Sequence, residues 1–409
     1  MDLRVTDEQS WLAESVGAML TREWVTPREV ADATPERRHR VWEEIVTFGT
    51  LDIGAADGLG AVELCLIARA LGSHVASVPF LGSAAVRLAL APDAGTLPPG
   101  LASALAGQDA IGVALLEPGR GWTAEGARTR LARGPDGLRI DGTKVAIEQV
   151  QAADQLAVIA TLDGDPALAL VPARQAGLAT RAQRCFDDTL LMGSAGFRAV
   201  PVPASGVLGG PGARQALERL MAAGALLAAA EAAGAADRVF QLACRYATER
   251  RQFGRSIGSF QALRHLLADA YVRAESGWSA VRYAAAALDE GAPEAAQAVS
   301  VAKAYVSRGA REVTHTAMQV FGGIAFTAEH PAHRFLRRVG VRAQQFGDAA
   351  HHERLLGQAL ADRARRAHAM TAAASERRGA AVPGLRSEER ATREGIASPG
   401  APKRAGDTA

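Results

Sequence analysis

The sequence predicts a mainly helical protein with a β unit in the middle of the chain. Long Ala- and Leu-rich stretches with helical spacing occupy both ends, and short apolar runs bounded by Gly, Pro and Asp lie between them. The length of 409 residues exceeds that of one typical domain. We therefore expect an N-terminal helical domain over residues 1–105, a middle β domain over 106–208 and a C-terminal helical bundle over 209–368.

The composition argues against several classes of protein. A formal net charge of +2 predicts no nucleic-acid surface. The three cysteines are widely spaced and form no CxxC pattern, so we expect neither a disulfide framework nor a metal site. The N-terminus has no signal-peptide pattern, and the longest apolar run, at about residues 221–236, is too short and too interrupted for a membrane span. These features are typical of a cytoplasmic protein.

The first domain is expected to begin with a capped helix. Thr6 stands at the N-cap position, and the apolar residues that follow on the predicted inner face are Trp11, Leu12, Val16 and Leu20. Residues 62–71 repeat the helical spacing, and the segment PFLGSAA near Pro79 opens another helix. The Gly-rich stretch GTLDIGAADGLGAVE between the first two helical stretches is predicted to be a loop.

Strands and then helices follow in the other two domains. Five runs predict strands: IGVALLEPG, LRIDGTK, QLAVIATL, PALALVP and AGFRAVPVP. Beyond them, helical spacing predicts four long helices, at about residues 211–248, 260–288 and 292–320 and from about 349. Residues 369–409 contain almost no large apolar side chains, so we expect a disordered tail.

The segment ERRQFGRSIGSFQ is the first candidate for ligand binding. A helix is predicted to end at Gly254, which leaves Arg250 near a helix C-terminus beside Gln252. The planar Arg250 guanidinium suits a diphosphate, the Gln252 amide suits a phosphate or a ribose, and Phe253 or Phe260 can pack against a ring system. The alternative is a helix–turn–helix in which Gly254 is only a C-cap.

The segment QVFGGIAF is the second candidate. Its Gly322–Gly323 pair lets the backbone pass close to a ligand, and Gln319 precedes it at the end of a predicted helix. An ordinary helix C-cap is again the alternative. Two glycine-terminated helices that each carry a Gln and an aromatic residue are able to converge at one end of a bundle, so the two segments together predict more than either alone.

In this order, Y-x-x-x-R-x-Q-F-G-x-x-I-x-x-F-Q and Q-V-F-G-G-x-x-F resemble the acyl-CoA dehydrogenase family over roughly residues 1–365. The resemblance implies an N-terminal helical domain, a middle β-barrel domain and a C-terminal four-helix domain. It also implies a dimer of dimers, as a homo-oligomer or as a heteromer with a homologous subunit. FAD would then lie across a subunit interface, and the reaction would be the α,β-desaturation of an acyl thioester such as an acyl-CoA.

The resemblance also assigns roles by position. Arg250, Gln252 and Phe253 would hold the FAD diphosphate of a neighbouring subunit. The residues implied elsewhere around the cofactor are Gln319, Gly322 and Gly323 in the same region and Ile257, Phe260 and Gln261 near the adenine. A carboxylate would remove the α-proton while the flavin accepts the β-hydride, and an electron-acceptor flavoprotein would reoxidise the flavin.

The catalytic carboxylate departs from the family pattern. Gly347 stands at the usual glutamate position, and Gly224 stands at the second known position. Glu231 follows Gly224 by seven residues on the same helix face, so it is the candidate base. The alternative is that Glu231 faces solvent or pairs with an arginine across the bundle. Asp348 is the reserve candidate. The neighbouring pair His351 and His352 is predicted to lie on the surface, because adjacent helical residues point in different directions.

The residues on the flavin-ring side of the site also differ from the family pattern. Leu116 and Trp122 replace the family's small or hydroxyl residues, and Ala146 and Glu148 stand where a Trp and a Thr usually meet the ring. Ala225 replaces an arginine near the substrate. Two alternatives to desaturation by this chain alone therefore remain open. The chain is either a non-catalytic or half-site partner subunit of a heteromeric acyl-CoA dehydrogenase, or a flavin oxidase or monooxygenase on the same scaffold.

Overall fold

The computed structural model describes residues 3–26, 29, 33–53, 58–123, 126–134 and 137–380, with side chains described to residue 370. Part of the predicted Gly-rich loop, residues 54–57, lies outside the described residues. So do residues 381–409, for which disorder was expected. Residues 369–380, which were assigned to the same tail, continue the last helix.

The described residues before the sheet form the helices α1 (Asp7–Glu23), α2 (Pro35–Thr47), α3 (Ala61–Ser73), α4 (Phe80–Leu90) and α5 (Pro99–Ala106). Thr6 forms the expected N-cap of α1 in a capping box with Gln9. Leu12, Val16 and Leu20 are buried, but Trp11 is exposed, so the prediction placed it on the wrong face. The reason is geometric, because Trp11 is one residue, or about 100°, away from the stripe that contains Leu12.

The middle of the chain forms a mixed eight-stranded sheet. Its strands are β1 (Ile111–Ala114), β2 (Arg130–Gly134), β3 (Gly137–Glu148), β4 (Gln155–Leu162), β5 (Asp165–Pro172), β6 (Leu178–Gln183), β7 (Met192–Val202) and β8 (Val207–Leu208). The order is β6-β7-β3-β2-β4-β5-β8, with β1 parallel to β4. The five predicted runs correspond to β1, β3, β4, β5 and β7. Strand β6 escaped prediction because its side chains are almost all exposed and show no apolar alternation.

Five helices follow the sheet: α6 (Gly210–Glu249), α7 (Gln261–Asp289), α8 (Ala295–Phe321), α9 (Ala332–Gln344) and α10 (Ala349–Ala380). A hairpin of β9 (Arg251–Gln252) and β10 (Arg255–Ser256) separates α6 from α7. The order of helices, sheet and helices agrees with the predicted fold class. The described residues up to Leu356 form one compact unit, and the described residues from Gly357 belong to a second.

Helix α6 is the central helix of the first unit. By length and composition it is apolar enough to cross a membrane, but 83% of its most apolar window is buried inside the protein, so core packing accounts for its sequence. Two glycines bring α3 against it. A Cβ atom on Gly72 would lie 2.0 Å from the carbonyl oxygen of Glu231, and one on Gly234 would lie 2.0 Å from that of Arg69. This close crossing fixes the position of Glu231.

Candidate functional site

Glu231 lies near the middle of α6 and is 2% exposed. Its Oε1 atom accepts a hydrogen bond of 2.8 Å from Arg338 Nη1, and its Oε2 atom lies 2.9 Å from Arg342 Nη2. Both arginines come from α9 and are buried. Of the two roles that the sequence left open for Glu231, the geometry favours pairing with arginine, because both carboxylate oxygens bind guanidinium groups.

Arg338 connects four parts of the fold. All five N–H groups of its fully buried guanidinium are used. The acceptors, at 2.6 to 3.1 Å, are Asp187 Oδ2, Glu231 Oε1, Thr189 Oγ1 and the carbonyl oxygens of Val75 and Ala76. The acceptors belong to α6, to the turn after α3 and to the segment before β7, so one side chain joins α9 to all three.

Asp187 is held as an anion in this cluster. Burial raises the pKa of its carboxyl group, but the Arg338 guanidinium and the hydrogen bonds from Thr189 outweigh burial and lower that pKa below the ordinary value. Arg38 of α2 approaches the same group, with Nη1 3.1 Å from the carbonyl oxygen of Ser77. Asp187, Glu231 and Glu148 are thus paired with Arg338 and Arg342, and the charge of Asp187 also acts on Arg38.

Arg342 links this cluster to the sheet. Its Nη1 and Nη2 atoms donate to Oε2 and Oε1 of Glu148 at 2.5 and 2.8 Å, and Gln345 Nε2 donates to Glu148 Oε2 at 3.2 Å. Burial raises the pKa of Glu148, but Arg342 more than offsets it and the net direction is downward. Burial lowers the pKa of Arg342, but Glu148 and Glu231 reverse that effect and raise it. Glu148 and Arg342 therefore form a two-fold hydrogen-bonded ion pair between β3 and α9.

The residues expected beside a flavin ring do not fit that role. Glu148, at the position where a Thr was expected, uses its carboxylate on Arg342 and Gln345. Ala146 has a φ of 52° and donates its N–H to Gln183 Oε1 at 2.9 Å. The Glu148 carboxylate and the Ala146 N–H are thus engaged within the chain.

The residues expected to hold a diphosphate do fit. Helix α6 ends at Glu249, and Phe253 and Gly254, with φ of 51° and 79°, form the turn of the β9–β10 hairpin. The predicted helix end at Gly254 was therefore wrong, because the sequence does not distinguish a glycine C-cap from a tight hairpin turn. Arg250 and Gln252 are exposed at this hairpin, and Phe253 is 90% exposed.

The second glycine segment lies beside the first. Helix α8 ends at Phe321, and Gly322 follows with a φ of 65°, as expected for a helix C-cap. The rings of Phe321 and Tyr246, at the ends of α8 and α6, are 5.3 Å apart. A Cβ atom on Gly322 or Gly323 would meet nothing within 4 Å, so the backbone there is open to a ligand. Gln319 is exposed on the last turn of α8.

The three residues predicted near the adenine follow the hairpin directly. Ile257 donates its N–H to the carbonyl oxygen of Arg250 at 2.8 Å, which closes the loop onto the end of α6. Phe260 is the N-cap of α7, with its ring 6.1 Å from that of Phe253 and 4.1 Å from the Arg255 guanidinium. Gln261 is the first residue of α7 and is exposed. The structure thus gathers the predicted diphosphate and adenine residues at one end of the helical bundle.

A cavity of about 420 Å³ lies between α6, α8 and the start of α10. Trp122 and Phe346 form one wall, with ring centroids 5.0 Å apart. Phe346 fills the space beside Gly224, where a Cβ atom would lie 2.4 Å from its ring. Glu231 is not among the residues that line this cavity.

Gly347 cannot be replaced by a larger residue without rearrangement. It has a φ of 98°, and a Cβ atom would lie 2.5 Å from His351 Cδ2 and 3.0 Å from His352 Nε2. The site of the family's usual catalytic glutamate is therefore occupied by histidine rings. Asp348, the reserve candidate, accepts the N–H of His351 at 2.8 Å as a cap of α10.

The prediction that both histidines lie on the surface was wrong. His351 is half-buried, and His352 is buried with Nε2 3.0 Å from the carbonyl oxygen of Phe346 and Nδ1 3.3 Å from Ser300 Oγ. Burial lowers the pKa of His352 to about 4. The turn before α10 brings both rings back against the bundle, which helical spacing alone does not reveal. In the described part of the chain, no group of three or more His, Cys, Asp or Glu residues is arranged to hold a metal.

The motifs EPG and DGTK meet in a structural ion pair. Lys144 Nζ lies 2.8 Å from Glu117 Oε1, and both residues are buried. Burial raises the pKa of Glu117, but Lys144 and the backbone N–H groups of Thr129 and Arg128 lower it to about 2. This pair fixes the start of the loop that carries Trp122.

Sequence reasoning missed Arg338 and Arg342. They are four residues apart in FLRRVGVRA, a spacing that places both on one face of a helix. This spacing, together with the alternative that Glu231 pairs with an arginine across the bundle, was the available signal. Helix α9 itself was not predicted, because two arginines interrupt the apolar residues on its inward face.

Comparisons with known proteins agree with this architecture. A family model described as the C-terminal domain of acyl-CoA dehydrogenase matches residues 210–361. Acyl-CoA dehydrogenase FadE27 of Mycobacterium tuberculosis is 29% identical over 342 residues, which are 79% of this chain and 88% of that protein. Acyl-CoA dehydrogenase IpdE2 of Mycolicibacterium smegmatis is 41% identical over 123 residues, 30% of this chain and 38% of that protein.

Two solved structures of two-component proteins are similar over most of the chain. A chain of the ChsE4–ChsE5 complex from Mycobacterium tuberculosis has a TM-score of 0.77 and 27% identity, with 88% of this chain and 99% of that chain covered. A chain of a variant of the Tcur3481–Tcur3483 steroid ACAD has a TM-score of 0.76 and 27% identity, with 88% and 100% covered.

Proposed function

Since the chain belongs to the acyl-CoA dehydrogenase family of oxidoreductases, which act on CH–CH groups, we propose that it is one subunit of a heteromeric, FAD-dependent acyl-CoA dehydrogenase. In this enzyme it lends its diphosphate-holding residues to the flavin of a homologous partner subunit. The partner subunit supplies the base that removes the α-proton of the acyl thioester. This is the half-site alternative that the sequence left open.

The double ion pair of Glu231 carries the proposal. A general base needs a carboxylate oxygen within hydrogen-bond reach of the substrate proton. Both oxygens of Glu231 are instead held by buried arginines, and Gly347 has no side chain. Asp348 caps a helix. Gly224, at the fourth position considered, has no side chain either, so none of the four is suited to act as the base.

The hairpin and the Gly322–Gly323 segment define what this chain contributes. The Arg250 guanidinium and the Gln252 amide are exposed and suit the diphosphate, and the open backbone at Gly322–Gly323 allows close approach. Phe253 presents an exposed ring for packing against the partner's cofactor. When bound, the flavin supplies the hydride acceptor for the β-carbon.

The similar structures support a heteromer. Both are described as pairs of differently named proteins, ChsE4–ChsE5 and Tcur3481–Tcur3483, and the second is called a steroid ACAD. We extend two features to this chain. The partner is a homologous chain that retains a catalytic glutamate, and the acyl thioester to test first carries a steroid ring system, with a straight-chain acyl-CoA as the comparison.

Co-purification tests the proposal. The chain alone is expected to be colourless and inactive, and the chain co-expressed with its homologous partner is expected to be yellow and to bleach on addition of the acyl-CoA. Arg250→Ala in this chain should remove FAD from the complex. Arg133→Ala, which removes an exposed arginine from the sheet, is the matched control and should have no effect. A chain that binds FAD alone and bleaches with acyl-CoA would contradict the proposal.

A further inference from the structure

A second cavity, of about 820 Å³, lies between α2 and the sheet. Helix α2 lines it with Trp42 and Val46, and the turn after β3 lines it with Gln149. Among the described residues, none lines both this cavity and the one beside Phe346. Its volume is within the range of about 300 to 1,000 Å³ that is typical of small-molecule sites. We call this cavity the α2 cleft.

Gln149 is a buried residue of the cleft wall with an uncommon backbone conformation. It is 2% exposed and has a φ of 56°, a region that residues other than glycine rarely adopt. Its N–H donates to the carbonyl oxygen of Leu191 at 2.7 Å, and its carbonyl oxygen accepts the N–H groups of Ala152 and Ala153 at 2.9 Å. Residues held in such conformations cluster at ligand-binding sites. The turn thus fixes Gln149 at one place in the cleft.

The Gln149 side chain presents a polar atom to the cleft. Its Nε2 atom donates to Ser77 Oγ at 2.8 Å, which orients the amide. The described part of the chain contains no hydrogen-bond partner for Gln149 Oε1, nor for Nε1 of Trp42, which is 6% exposed. Since both side chains line the cleft, a ligand there is placed to donate to one atom and accept from the other.

The charged residues of the cleft balance one another. The carboxylates of Glu43 and Asp154 and the guanidinium groups of Arg38 and Arg174 line it. Asp154 Oδ2 accepts the N–H of Ala110 at 3.0 Å, and a carboxylate oxygen has capacity for a further hydrogen bond. Two negative and two positive charges cancel, so the cleft is complementary to an uncharged ligand.

We infer that the α2 cleft binds a neutral sugar of one or two rings. Hydroxyl groups both donate and accept, so they match an open donor and acceptor surrounded by carboxylates and amides. The amides of Gln108 and Gln151 line the cleft as well. Pro79 and Leu191 add apolar surface for the C–H face of a sugar ring. This binding is separate from the proposed function, because it involves neither the β9–β10 hairpin nor FAD.

Isothermal titration calorimetry of the full chain with glucose, maltose and trehalose tests the inference. We expect one sugar to bind for each chain, with a Kd of about 1 mM or lower for at least one of the three. Calorimetry is preferred to a melting temperature, because sugars stabilise folded proteins in general by exclusion from the surface. Absence of binding for all three sugars would overturn the inference.

The decisive variant is Ala152→Trp, which places a large ring at the exposed edge of the cleft without removing a buried side chain. It should weaken sugar binding at least about tenfold. Ala18→Trp makes the same substitution at an exposed position of α1, outside the cleft, and should retain the wild-type affinity. Equal affinities of the two variants would show that the sugar binds elsewhere on the chain, and the inference would fail.

A second variant, Gln149→Met, removes the amide and keeps the length of the side chain. It should weaken sugar binding about tenfold, as expected for the loss of a hydrogen bond to the ligand. Gln297→Met, at an exposed position of α8, is the control. Wild-type affinity in a folded Gln149→Met chain would contradict the inference. If circular dichroism shows that this variant is unfolded, Ala152→Trp decides.

The co-purified complex keeps this inference distinct from the proposed function. FAD content and bleaching by acyl-CoA should be the same with Ala152→Trp as in the wild type, because the cleft and the hairpin share no residue among those described. Loss of FAD in this variant would show that the cleft serves the cofactor site, and the inference of a separate sugar site would be overturned.

Discussion

Glu231 Oε2 and Arg342 Nη2 lie 2.9 Å apart in the interior, and each residue is 2% exposed. The second oxygen of Glu231 is held by Arg338 at 2.8 Å. To act as a base, Glu231 would have to turn away from two guanidinium groups and leave them unpaired in the core. The carboxylate that the sequence singled out for catalysis is therefore placed to hold α6 against α9.

Neutralising Glu231 should destabilise the chain. Glu231→Gln leaves Arg338 and Arg342 short of a negative charge, and we expect a loss of about 3 kcal/mol in the free energy of unfolding. Urea unfolding followed by circular dichroism measures it. Glu275→Gln, on the exposed face of α7, is the control and should change stability by less than about 0.5 kcal/mol. Equal stability of the two variants would contradict the ion-pair role.

Arg338 should not tolerate replacement by lysine. Arg338→Lys keeps the charge but loses the planar array of five donors, and a single ammonium cannot reach the same acceptors. We expect a loss of about 3 kcal/mol, because buried acceptors lose their donors. The neighbouring Arg337→Lys alters an exposed pair with Asp188 and should cost less than about 1 kcal/mol. A small effect at both positions would show that the network is dispensable.

Because of the buried Lys303 side chain, we expect the free energy of unfolding to rise at alkaline pH. Burial and, to a smaller extent, the charge of Arg342 lower its pKa from 10.5 to about 7, against the opposing effect of Asp348. The folded pKa is below the unfolded pKa, so the unfolded state binds more protons between pH 7 and 10.5. This contribution therefore increases stability as pH rises through that window. Unfolding of the wild type against Lys303→Met across the window measures it, and a constant difference between the two proteins would refute the assignment.

Because of the buried His352 ring, we expect the free energy of unfolding to fall in acid. Burial lowers its pKa from 6.5 to about 4, so the unfolded state takes up a proton first as pH falls. Stability should decrease between pH 6.5 and 4, and His352→Asn should show a smaller decrease. His39→Asn replaces an exposed histidine and should retain the wild-type slope. If the wild-type slope persists in His352→Asn, the acid sensitivity arises elsewhere.

Replacement of Phe253 should weaken FAD binding without changing the stability of the chain. Its ring is 90% exposed, so Phe253→Ala should change the free energy of unfolding of the isolated chain by less than about 0.5 kcal/mol. The co-purified complex should nevertheless lose FAD, because the ring is lent to the partner's cofactor. Retention of FAD at the wild-type ratio would show that the hairpin does not reach the partner's site.

Most of the fold was predictable from local patterns. Helix α6, α7 and α8 and strands β4 and β5 carry continuous or periodic apolar residues that report burial directly. Helix α9 also has apolar residues at helical spacing, Ala332, Phe335, Val339 and Ala343, but the same face carries Arg338 and Arg342, which are charged yet buried. Periodicity assigns charges to the surface, so a helix that turns charges inward escapes prediction.

The residues of the candidate site also fall into those that the sequence predicts and those that it does not. The residues proposed to hold the diphosphate were found from two short segments, because their side chains lie close to their own turns. The role of Glu231 depends on Arg338, which is 107 residues later in the chain, and that of Glu148 depends on Arg342, 194 residues later. A sequence shows that a carboxylate lies in an apolar helix. It does not show which distant cation neutralises it.

The rate of flavin bleaching by acyl-CoA in a complex that carries Glu231→Gln in this chain tests the central claim most directly. Expressed per bound FAD, the rate should equal that of the wild-type complex, because the proton acceptor belongs to the partner subunit. A general base that is lost costs about 100-fold or more in rate. A decrease of that size with FAD still bound would show that Glu231 is the base and would contradict the account.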